Sequence, residues 1–457
     1  MVKQREAALK DPSAIAEKKQ VVRRLFAETM AAVELAPTMA SLILLEDGVL
    51  MLGSDRFPLS RFSRVLVIAV GKAAVPMAEY VHRILERWQD SQHDVEGIVV
   101  GSNPWKPVSG WTYFAGAHPL PDAHSFAASE LLLDRLHAAD EKTLVLFLVS
   151  GGASSMLELP LSPSIPQRDV IAFYRSLVHA GLPIAKMNVL RKHLSKVKGG
   201  RLAAAAAKAT KATVLISDVP NGMLDVVGSG LSLPDSSTRE DFWRILEQTP
   251  HLKRELPQSI QDFLPAIPET PKEIPAGVLP STCLSLLSSE SLTTAASRLA
   301  AAEGYHVVVD NTCDDWDYRQ AAQHLVDRFR TEQRHGASVC LLSAGEVTVS
   351  VSGSPGIGGR NQQWALEVVR LLQNESTNFV VLSAGSDGVD GNSPAAGAVA
   401  DSQTWSRAQA KGLDPAQALE RFNTYPLFEQ LGDTIVTGPL GNNLRDLRIL
   451  LGPAYVG

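Results

Sequence analysis

One pattern recurs along this chain and constrains its fold more than any other: an apolar run that ends in a small-residue turn and leads toward a helix. Residues 64–70 read RVLVIAV and are followed by Gly71 and Lys72, and residues 143–149 read TLVLFLV and are followed by Ser150. Continuous apolar runs of this length are typical of strands buried in a parallel sheet. We therefore predict an α/β protein with mostly parallel sheets, whose ligands bind at the carboxyl ends of the strands.

The length of the chain and one proline-rich stretch predict two domains. A chain of 457 residues is too long for one ordinary core. Prolines crowd between residues 248 and 280, and a strand, helix, strand pattern over 283–310 opens a second α/β unit. We predict an N-terminal domain over 14–280 and a C-terminal domain over 281–457, with residues 14–36 as an amphipathic first helix.

Composition excludes several classes of protein. The net charge of −6 argues against nucleic acid as the main partner. Cys283, Cys313 and Cys340 are odd in number and lack metal-ligand spacing, which favours a reducing cytoplasm. The charged N-terminus has no apolar core of signal-peptide length, and the most apolar runs are far shorter than a membrane span. We expect a soluble cytoplasmic protein with no membrane partner.

The stretch 341–363 is dense in glycine and predicts a strand, a loop and the start of a helix. The loop glycines are Gly353, Gly356, Gly358 and Gly359, and Arg360 and Asn361 follow them. Exposed N–H groups, a guanidinium and a helix N-terminus suit phosphate or carboxylate. The stretch is not a P-loop, because Gly359-Arg360 stands where Lys-Ser/Thr should be. A hairpin or a strand-to-helix turn is the alternative, and Glu346 just upstream favours a site.

Two acidic segments and one basic segment are further candidates. Asp218 lies at the carboxyl end of a predicted strand, as a metal ligand or base would, although it could instead cap a helix. Asp387 and Asp390 lie in a Gly, Asp-rich loop that suits Mg²⁺, although surface turns of this composition are commoner. The basic segment, residues 187–207, reads as a solvated helix face or as an anion site.

Nine stretches of the chain resemble, in order, the class II glycerate kinases, the glycerate 2-kinase family whose C-terminal half is the MOFRL domain. They are VGKAAVPMAE, GAHPLPD, SGGASSMLELP, KHLSKVKGGRLA, SDVP, AGEVTV, GGRNQQ, GSDGVDG and TGPLGNN. The resemblance covers about residues 20–452. It implies two Rossmann-like α/β domains with a cleft between them, and transfer of the γ-phosphoryl group of ATP to the 2-hydroxyl of D-glycerate with Mg²⁺.

The resemblance also implies roles for individual residues. Lys72 matches the family's catalytic lysine, Arg360 matches the arginine of its GGRNQ motif, and Asp218 joins them as a catalytic candidate. The implied ligand-binding residues are Ser150, Gly151, Gly152, Ser154, Lys192, Lys198, Gly356, Gly358, Gly359 and Asn361. The acids implied for Mg²⁺, or for activating the substrate hydroxyl, are Asp218, Glu346, Asp387 and Asp390.

Three loops depart from the family pattern. The chain has Asn221-Gly222 and Ser229-Gly230-Leu231-Ser232 where Gly-Asp and Ser-Gly-Pro-Thr are usual, an acid is replaced around Pro394, and Leu440 and Asn442 stand where threonines are usual. These changes suggest an altered substrate or altered metal use. A kinase of another small hydroxy acid and a non-catalytic ligand-binding relative are therefore alternatives, and the sequence leaves open whether the protein is a homodimer.

A hydroxypyruvate reductase that uses NAD is a further rival, since the domains are Rossmann-like. Against it, no predicted strand is followed by Gly-x-Gly-x-x-Gly with an acidic residue some twenty positions on, and Gly71 is followed by Lys-Ala-Ala. We therefore expect a kinase that binds ATP and a small hydroxy acid.

Overall fold

The computed structural model describes residues 12–88, 93–220, 222–335, 338–351, 353–375, 378–440 and 443–453. The chain forms two compact units: an N-terminal unit of residues 36–286, and a C-terminal unit in which residues up to Leu35 join residues 287–457. This corrects the predicted domains, 14–280 and 281–457, because the first helix belongs to the C-terminal unit and the division falls after Leu286.

Helix α1 (Pro12–Ala32) shows why the N-terminal boundary was wrong. An amphipathic pattern says that one helix face is buried, but it does not say against which sheet. The helix buries Val22, Leu25 and Phe26, and Lys19 Nζ contacts Asp401 Oδ2 at 2.5 Å and Asp433 Oδ1 at 2.7 Å. These two acids lie in the C-terminal unit, so α1 is fixed there.

The N-terminal unit follows the predicted alternation of strand, turn and helix. Its elements are α2 (Leu35–Leu42), β1 (Ile43–Glu46), β2 (Val49–Leu52), β3 (Asp55–Pro58), β4 (Arg64–Val70), α3 (Ala74–Leu85), β5 (Asp94–Gly101), β6 (Trp111–Ala115), α4 (Ala123–His137), β7 (Thr143–Val149), α5 (Ala153–Met156), α6 (Gln167–His179), α7 (Ile184–Leu194), α8 (Arg201–Ala205), β8 (Thr210–Ile216), α9 (Arg239–Gln248), α10 (Pro250–Glu255), α11 (Gln258–Phe263) and β9 (Thr282–Leu287). Short 3₁₀ turns cover Leu59–Arg61, Leu224–Ser229 and Leu264–Ala266.

The main sheet of this unit has the strand order β6-β5-β4-β7-β8-β9. The pairs β4–β5, β4–β7, β5–β6 and β7–β8 are all parallel, as predicted. Strands β7 and β8 are buried at every residue, which accounts for the long apolar run of β7. The carboxyl ends of β4, β7 and β8 therefore lie side by side, and β1, β2 and β3 form a separate antiparallel sheet.

The C-terminal unit is built around a second, mixed sheet of order β10-β11-β15-β12-β13-β14. Its further elements are α12 (Ser289–Ala302), β10 (His306–Val309), α13 (Tyr318–Gln333), β11 (Val339–Ala344), α14 (Arg360–Leu372), β12 (Val380–Gly385), β13 (Gly397–Asp401), α15 (Thr404–Ala410), α16 (Pro415–Glu420), α17 (Tyr425–Leu431), β14 (Thr434–Ile435) and β15 (Asp446–Gly452). Among the described residues, β10–β11 is the one parallel pair of this sheet; the last strand, β15, lies antiparallel between β11 and β12, and β12–β13 and β13–β14 are antiparallel too. The parallel arrangement predicted for both domains thus describes the first sheet better than the second.

The α/β class and the two-unit organisation are confirmed. Within the described ranges, no helix combines the length and the apolar character that crossing a bilayer requires. Asn221 and Asn442, two of the residues that depart from the family pattern, lie outside the described residues.

Candidate active site

The turn that carries Lys72 is tied to the turn that follows β7. Gly71 has a φ of +121°, and a Cβ there would collide with the hydroxyl and the carbonyl group of Ser150. The backbone N–H of Lys72 donates to the carbonyl oxygen of Gly151 at 2.9 Å, and that of Ala73 donates to Ser150 Oγ at 3.0 Å. Two adjacent strand ends therefore hold the exposed Lys72 side chain in place.

Asp218 lies beside the same turn. It follows β8, and its carboxylate approaches Gly151 so closely that any side chain at position 151 would collide with it. A Cβ at Gly152, whose φ is +86°, would lie 3.2 Å from Lys72 Cγ. The structure thus brings together Lys72, the Ser150-Gly151-Gly152 turn and Asp218 at one edge of the parallel sheet, which the sequence predicted from separate strand ends.

His118 is a neighbour of this turn that the sequence did not single out. A Cβ at Gly152 would lie 3.5 Å from His118 Cδ2. Burial first, and then the positive charges of Lys72 and Arg191, lower the pKa of the His118 imidazole. A neutral imidazole can accept or donate a hydrogen bond without adding charge. His118 is part of the GAHPLPD stretch, but nothing in the sequence of that stretch indicated that it lies near Lys72.

The ligand-binding roles predicted for Lys192 and Lys198 do not fit their surroundings. Only 1% of Lys192 and 0% of Lys198 is exposed. Lys192 Nζ contacts Asp235 Oδ1 at 2.7 Å and Asp225 Oδ2 at 3.2 Å, and Lys198 Nζ contacts Glu158 Oε2 at 2.8 Å. Because both ammonium groups are already neutralised inside the protein, we assign both lysines a structural role. Lys192 and Lys198 therefore do not belong to a solvated helix face.

Ser154 belongs to a buried hydroxyl network and not to an open turn. Ser154 Oγ and Ser229 Oγ share a hydrogen bond of 2.6 Å, and Ser229 Oγ donates to Asn188 Oδ1 at 2.9 Å. Ser232, in the same departing loop, accepts from Thr213 Oγ1 at 3.0 Å. Ser229 matches the family pattern and Ser232 departs from it, and both residues have hydrogen-bond partners within the fold.

The second candidate site lies in the C-terminal unit, where Arg360 begins α14. Its Nε donates to Asp446 Oδ2 at 2.6 Å and its Nη2 donates to Asp446 Oδ1 at 3.0 Å. Nη2 also lies 2.7 Å from Glu346 Oε1. Within the described ranges, no group accepts from Nη1, so one face of the guanidinium remains available to an anion. Asp446 is fully buried, and the sequence did not identify it although an acid opens its apolar strand.

The two neighbouring carboxylates keep the Arg360 guanidinium charged. Burial acts to lower the pKa of the Arg360 guanidinium, but the carboxylates of Asp446 and Glu346 outweigh it and raise that pKa. Burial first, and then the negative charge of Asp446, raise the pKa of Glu346. Glu346 is therefore an ion-pair partner that orients Arg360, and its predicted metal role competes with this contact.

Asp390 caps α14, which contradicts its predicted role as a metal ligand. Its Oδ1 accepts from the backbone N–H of Asn361 at 2.9 Å and from Nδ2 of the same residue at 3.3 Å. Its Oδ2 accepts from the backbone N–H of Gln362 at 3.0 Å and from Nε2 of that residue at 2.9 Å. Four N–H donors occupy the carboxylate, and burial raises its pKa to about 6. Asn361 also accepts from Ser383 Oγ at 2.5 Å, so its predicted cofactor role is corrected too.

The loop glycines are required by packing within the protein. A Cβ at Gly356, Gly358 or Gly359 would collide with Asn423, Thr424 or Asp390, respectively. The sequence predicted that these glycines leave room for a ligand. In the structure, the side chains of Asn423, Thr424 and Asp390 occupy that room. The same glycines, with Arg360, Phe422 and neighbouring residues, line a cavity of about 300 Å³.

Asp387 remains the acid of its loop that can still take a ligand. Its Oδ1 accepts from the backbone N–H of Val389 at 3.0 Å, and no described residue donates to its Oδ2. Its carbonyl oxygen accepts from the backbone N–H of Leu440, another residue that departs from the family pattern. The paired acids of the GSDGVDG stretch therefore differ, because Asp387 has a spare carboxylate oxygen and Asp390 is saturated.

Comparisons with known proteins agree with this fold and these turns. Residues 21–265 match a domain family of unknown function, and residues 339–446 match the MOFRL family. A D-glycerate 2-kinase of Thermotoga maritima is 32% identical over 402 residues, covering 86% of this chain and 92% of that protein. A putative hydroxypyruvate reductase of Agrobacterium vitis is 30% identical over 440 residues, covering 95% of this chain and 94% of that one.

A solved structure is similar over nearly the whole chain. The crystal structure of a glycerate kinase from Thermotoga maritima has a TM-score of 0.78 and 29% identity, with coverage of 96% of this chain and 100% of that chain. The α/β fold, the cationic turns and these matches define a phosphotransferase with an alcohol group as acceptor. More particularly, the chain belongs to the class II glycerate kinase family, as its motifs predicted.

Proposed function

We propose that this protein transfers the γ-phosphoryl group of ATP to the 2-hydroxyl of D-glycerate in a Mg²⁺-dependent reaction that gives 2-phosphoglycerate. The proposal rests on one observation: Lys72, the Ser150-Gly151-Gly152 turn and Asp218 lie next to one another at the carboxyl ends of parallel strands. The similarity to a D-glycerate 2-kinase over 86% of the chain supports the choice of substrate.

Phosphoryl transfer requires the protein mainly to position the two reactants and to supply positive charge. In phosphoryl transfer, negative charge spreads over the transferred group, and cations placed in advance stabilise it. The exposed ammonium group of Lys72, held by a turn tied to Ser150, is such a cation. Asp218, beside it, would accept the proton of the substrate hydroxyl as the oxygen attacks. That carboxylate lies in the space that a side chain at position 151 would fill.

Arg360 supplies a second cation from the C-terminal unit. Its guanidinium is oriented by the bidentate contact with Asp446, and its Nη1 faces no acceptor among the residues the structure describes. A planar guanidinium suits the oxygens of a phosphate. We propose that Arg360 contacts a phosphate group of the nucleotide, with Asp446 and Glu346 as positioning residues.

The residues present fit a magnesium ion that is shared with phosphates. Mg²⁺ in kinases takes one or two carboxylates together with phosphate oxygens and waters, and it seldom uses an all-protein cage. Among the described residues, no group of three His, Cys, Asp or Glu side chains forms such a cage. Asp387 is the acid we propose for the ion, which would neutralise phosphate charge, and Asp218 is left to accept the proton of the substrate hydroxyl. Asp390 is excluded because its oxygens are saturated.

A kinase of another small hydroxy acid is the second candidate. The stretch 229–232 departs from the family at Leu231 and Ser232, two and three residues after Ser229, which hydrogen-bonds Ser154. Lactate, tartrate and tartronate are acceptors that share the 2-hydroxy acid group. A nicotinamide-dependent reductase has less support, because Lys72 and Ala73 follow Gly71 where a dinucleotide-binding turn needs further glycines.

One pair of assays separates the kinase from the reductase. Purified protein is given ATP, Mg²⁺ and D-glycerate with coupled detection of ADP, and in parallel NADH with hydroxypyruvate, followed by nicotinamide absorbance. The proposal requires ADP formation that depends on glycerate, and no oxidation of NADH above the protein-free blank. NADH oxidation without ADP formation would reverse the assignment.

We also propose a reducing cytoplasmic location. Cys283, Cys313 and Cys340 are free thiols, and burial raises the pKa of Cys313 to about 11 and that of Cys340 to about 12. Thiols of this kind are unreactive and suit a reducing compartment. Homodimer formation stays a prediction, which light scattering of the purified protein tests.

A further inference from the structure

Arg191 is a buried cation that has no ion-pair partner among the described residues. It lies in the last turn of α7, and only 8% of its surface is exposed. Its guanidinium stacks on the ring of Tyr174, 4.9 Å from the ring centroid. In the part of the chain that the structure describes, its buried Nε has no hydrogen-bond partner and no carboxylate forms an ion pair with it. Burying a charge in this way is costly unless an anion accompanies it.

The neighbouring cations do not share this state. Lys192 is paired with Asp235, and Lys198 is paired with Glu158. The Glu158 carboxylate also accepts from Tyr174 Oη and from the backbone N–H of Leu159. Arg191 and Lys198, which both lie against the Tyr174 ring, thus face a single carboxylate. Among the described residues, the charged groups that contact Tyr174 therefore sum to one positive charge.

This excess charge lies next to the candidate active site. Tyr174 Oη, which donates to Glu158, also lies 3.2 Å from the carbonyl oxygen of Ser154, so the ring lies against the end of the Ser-Gly-Gly turn. The positive charges of both Arg191 and Lys72 act on His118 and lower its pKa, in addition to burial. Arg191, like Lys72, therefore lies close enough to His118 to be a neighbour of the Ser150-Gly151-Gly152 turn.

We propose that Arg191 binds the carboxylate of the hydroxy-acid acceptor. This inference rests on the proposed function, because that function supplies an acceptor with a carboxylate next to the reacting hydroxyl. The planar fork of a guanidinium matches a carboxylate in two parallel hydrogen bonds, and the bound acid provides the anion that the pocket lacks. Lys72 is then left for the phosphoryl group, and Arg191 discriminates acids from neutral alcohols.

The test compares the wild type with Arg191→Met, which keeps a long side chain against Tyr174 but removes the charge. Arg168→Met is the matched control, since the Arg168 side chain is 86% exposed in the same unit. Calorimetric titration of D-glycerate without nucleotide, and of ATP without acceptor, gives two separate affinities. We expect Arg191→Met to weaken glycerate binding by roughly tenfold or more and to leave ATP binding within about twofold.

Steady-state kinetics add a result that a merely structural role would not produce. In Arg191→Met the KM for D-glycerate should rise while the KM for ATP stays unchanged. The preference for D-glycerate over glycerol, a neutral alcohol, should fall by roughly tenfold or more, because the lost contact is specific to the acid. Arg191→Lys, which keeps the charge without the fork, is the second variant should Arg191→Met not fold, and the same shift in KM is expected of it.

Four outcomes would overturn the inference. Loss of ATP affinity with glycerate affinity retained would assign Arg191 to a nucleotide phosphate. An equal loss of both, or no change in either, would leave Arg191 without a role in acceptor binding. If the wild type binds D-glycerate without phosphorylating it, the proposed function fails, and the two titrations still decide the inference. If no 2-hydroxy acid binds the wild type, both fail.

Discussion

Arg360 and Asp446 form a bidentate ion pair, with Nε–Oδ2 and Nη2–Oδ1 distances of 2.6 and 3.0 Å. Asp446 is fully buried, whereas a third of the Arg360 side chain is exposed. The buried acid therefore sets the direction in which the exposed cation points.

The first prediction concerns that pair. Asp446→Asn keeps the shape but removes the charge that fixes Arg360, so kcat should fall by roughly tenfold or more because the cation is no longer held in place. Glu375→Gln, which alters an ion pair with Arg330 in the same unit, is the control and should retain wild-type turnover. A normal kcat for a folded Asp446→Asn protein would exclude a positioning role for Asp446.

The second prediction concerns Lys72. Lys72→Met should lower kcat by about 100-fold or more, since it removes a cation from the transferred phosphoryl group. The midpoint of thermal unfolding should stay near that of the wild type, because the side chain is exposed. Lys196→Met, at another exposed lysine of the same unit, should change neither quantity. Near-normal turnover in Lys72→Met would remove this residue from the mechanism.

The third prediction separates a structural from a ligand-binding role for Lys198. Lys198→Met leaves the buried Glu158 carboxylate without its cation, so the free energy of unfolding should fall by about 3 kcal/mol or more. Adding Glu158→Gln should restore part of that loss. Denaturant unfolding of the two variants measures both effects. A stable Lys198→Met protein that has lost ATP affinity would instead support the original ligand-binding interpretation.

The fourth prediction is a pH dependence at Asp390. Its pKa of about 6 in the folded protein exceeds that of an unfolded aspartate, about 3.9. Between these values the unfolded chain loses the proton while the folded protein keeps it. The stability due to this group is therefore complete below pH about 4 and declines as the pH rises to about 6.

Asp390→Asn removes that titration and so isolates it. The variant should be less stable than the wild type at pH 4, because the amide nitrogen directs two N–H groups toward the donors of Asn361 and Gln362, whereas the protonated carboxyl group directs only one O–H. The difference should shrink by about 3 kcal/mol between pH 4 and pH 7. Urea unfolding across this range provides the measurement. A difference that stays constant with pH would contradict a raised pKa.

Strand periodicity and turn composition predicted that Lys72, Ser150, Gly151 and Asp218 follow strands of one parallel sheet at their carboxyl ends. Carboxyl ends of parallel strands lie on one edge, so residues far apart in the chain become neighbours once the strands are recognised. The order β4-β7-β8 within that edge could not be read from the sequence, since strand order depends on long-range packing.

Residues whose role depends on a distant partner were beyond prediction. Lys192 and Lys198 look like a charged surface until Asp235 and Glu158 are placed beside them. Gly356 and Gly358 look like a phosphate loop until Asn423 and Thr424 occupy the space beside them. In each case the sequence shows that a cation or a glycine is present. Only the folded structure shows which carboxylate pairs with the cation or which side chain packs against the glycine.

The central claim is that this chain phosphorylates D-glycerate, and ³¹P NMR of the purified protein with ATP, Mg²⁺ and D-glycerate tests it most directly. The account predicts loss of the ATP γ-phosphate signal and growth of a phosphomonoester signal that matches 2-phosphoglycerate, with neither change in Lys72→Met. Intact ATP with D-glycerate, under conditions in which the protein is folded, would contradict it.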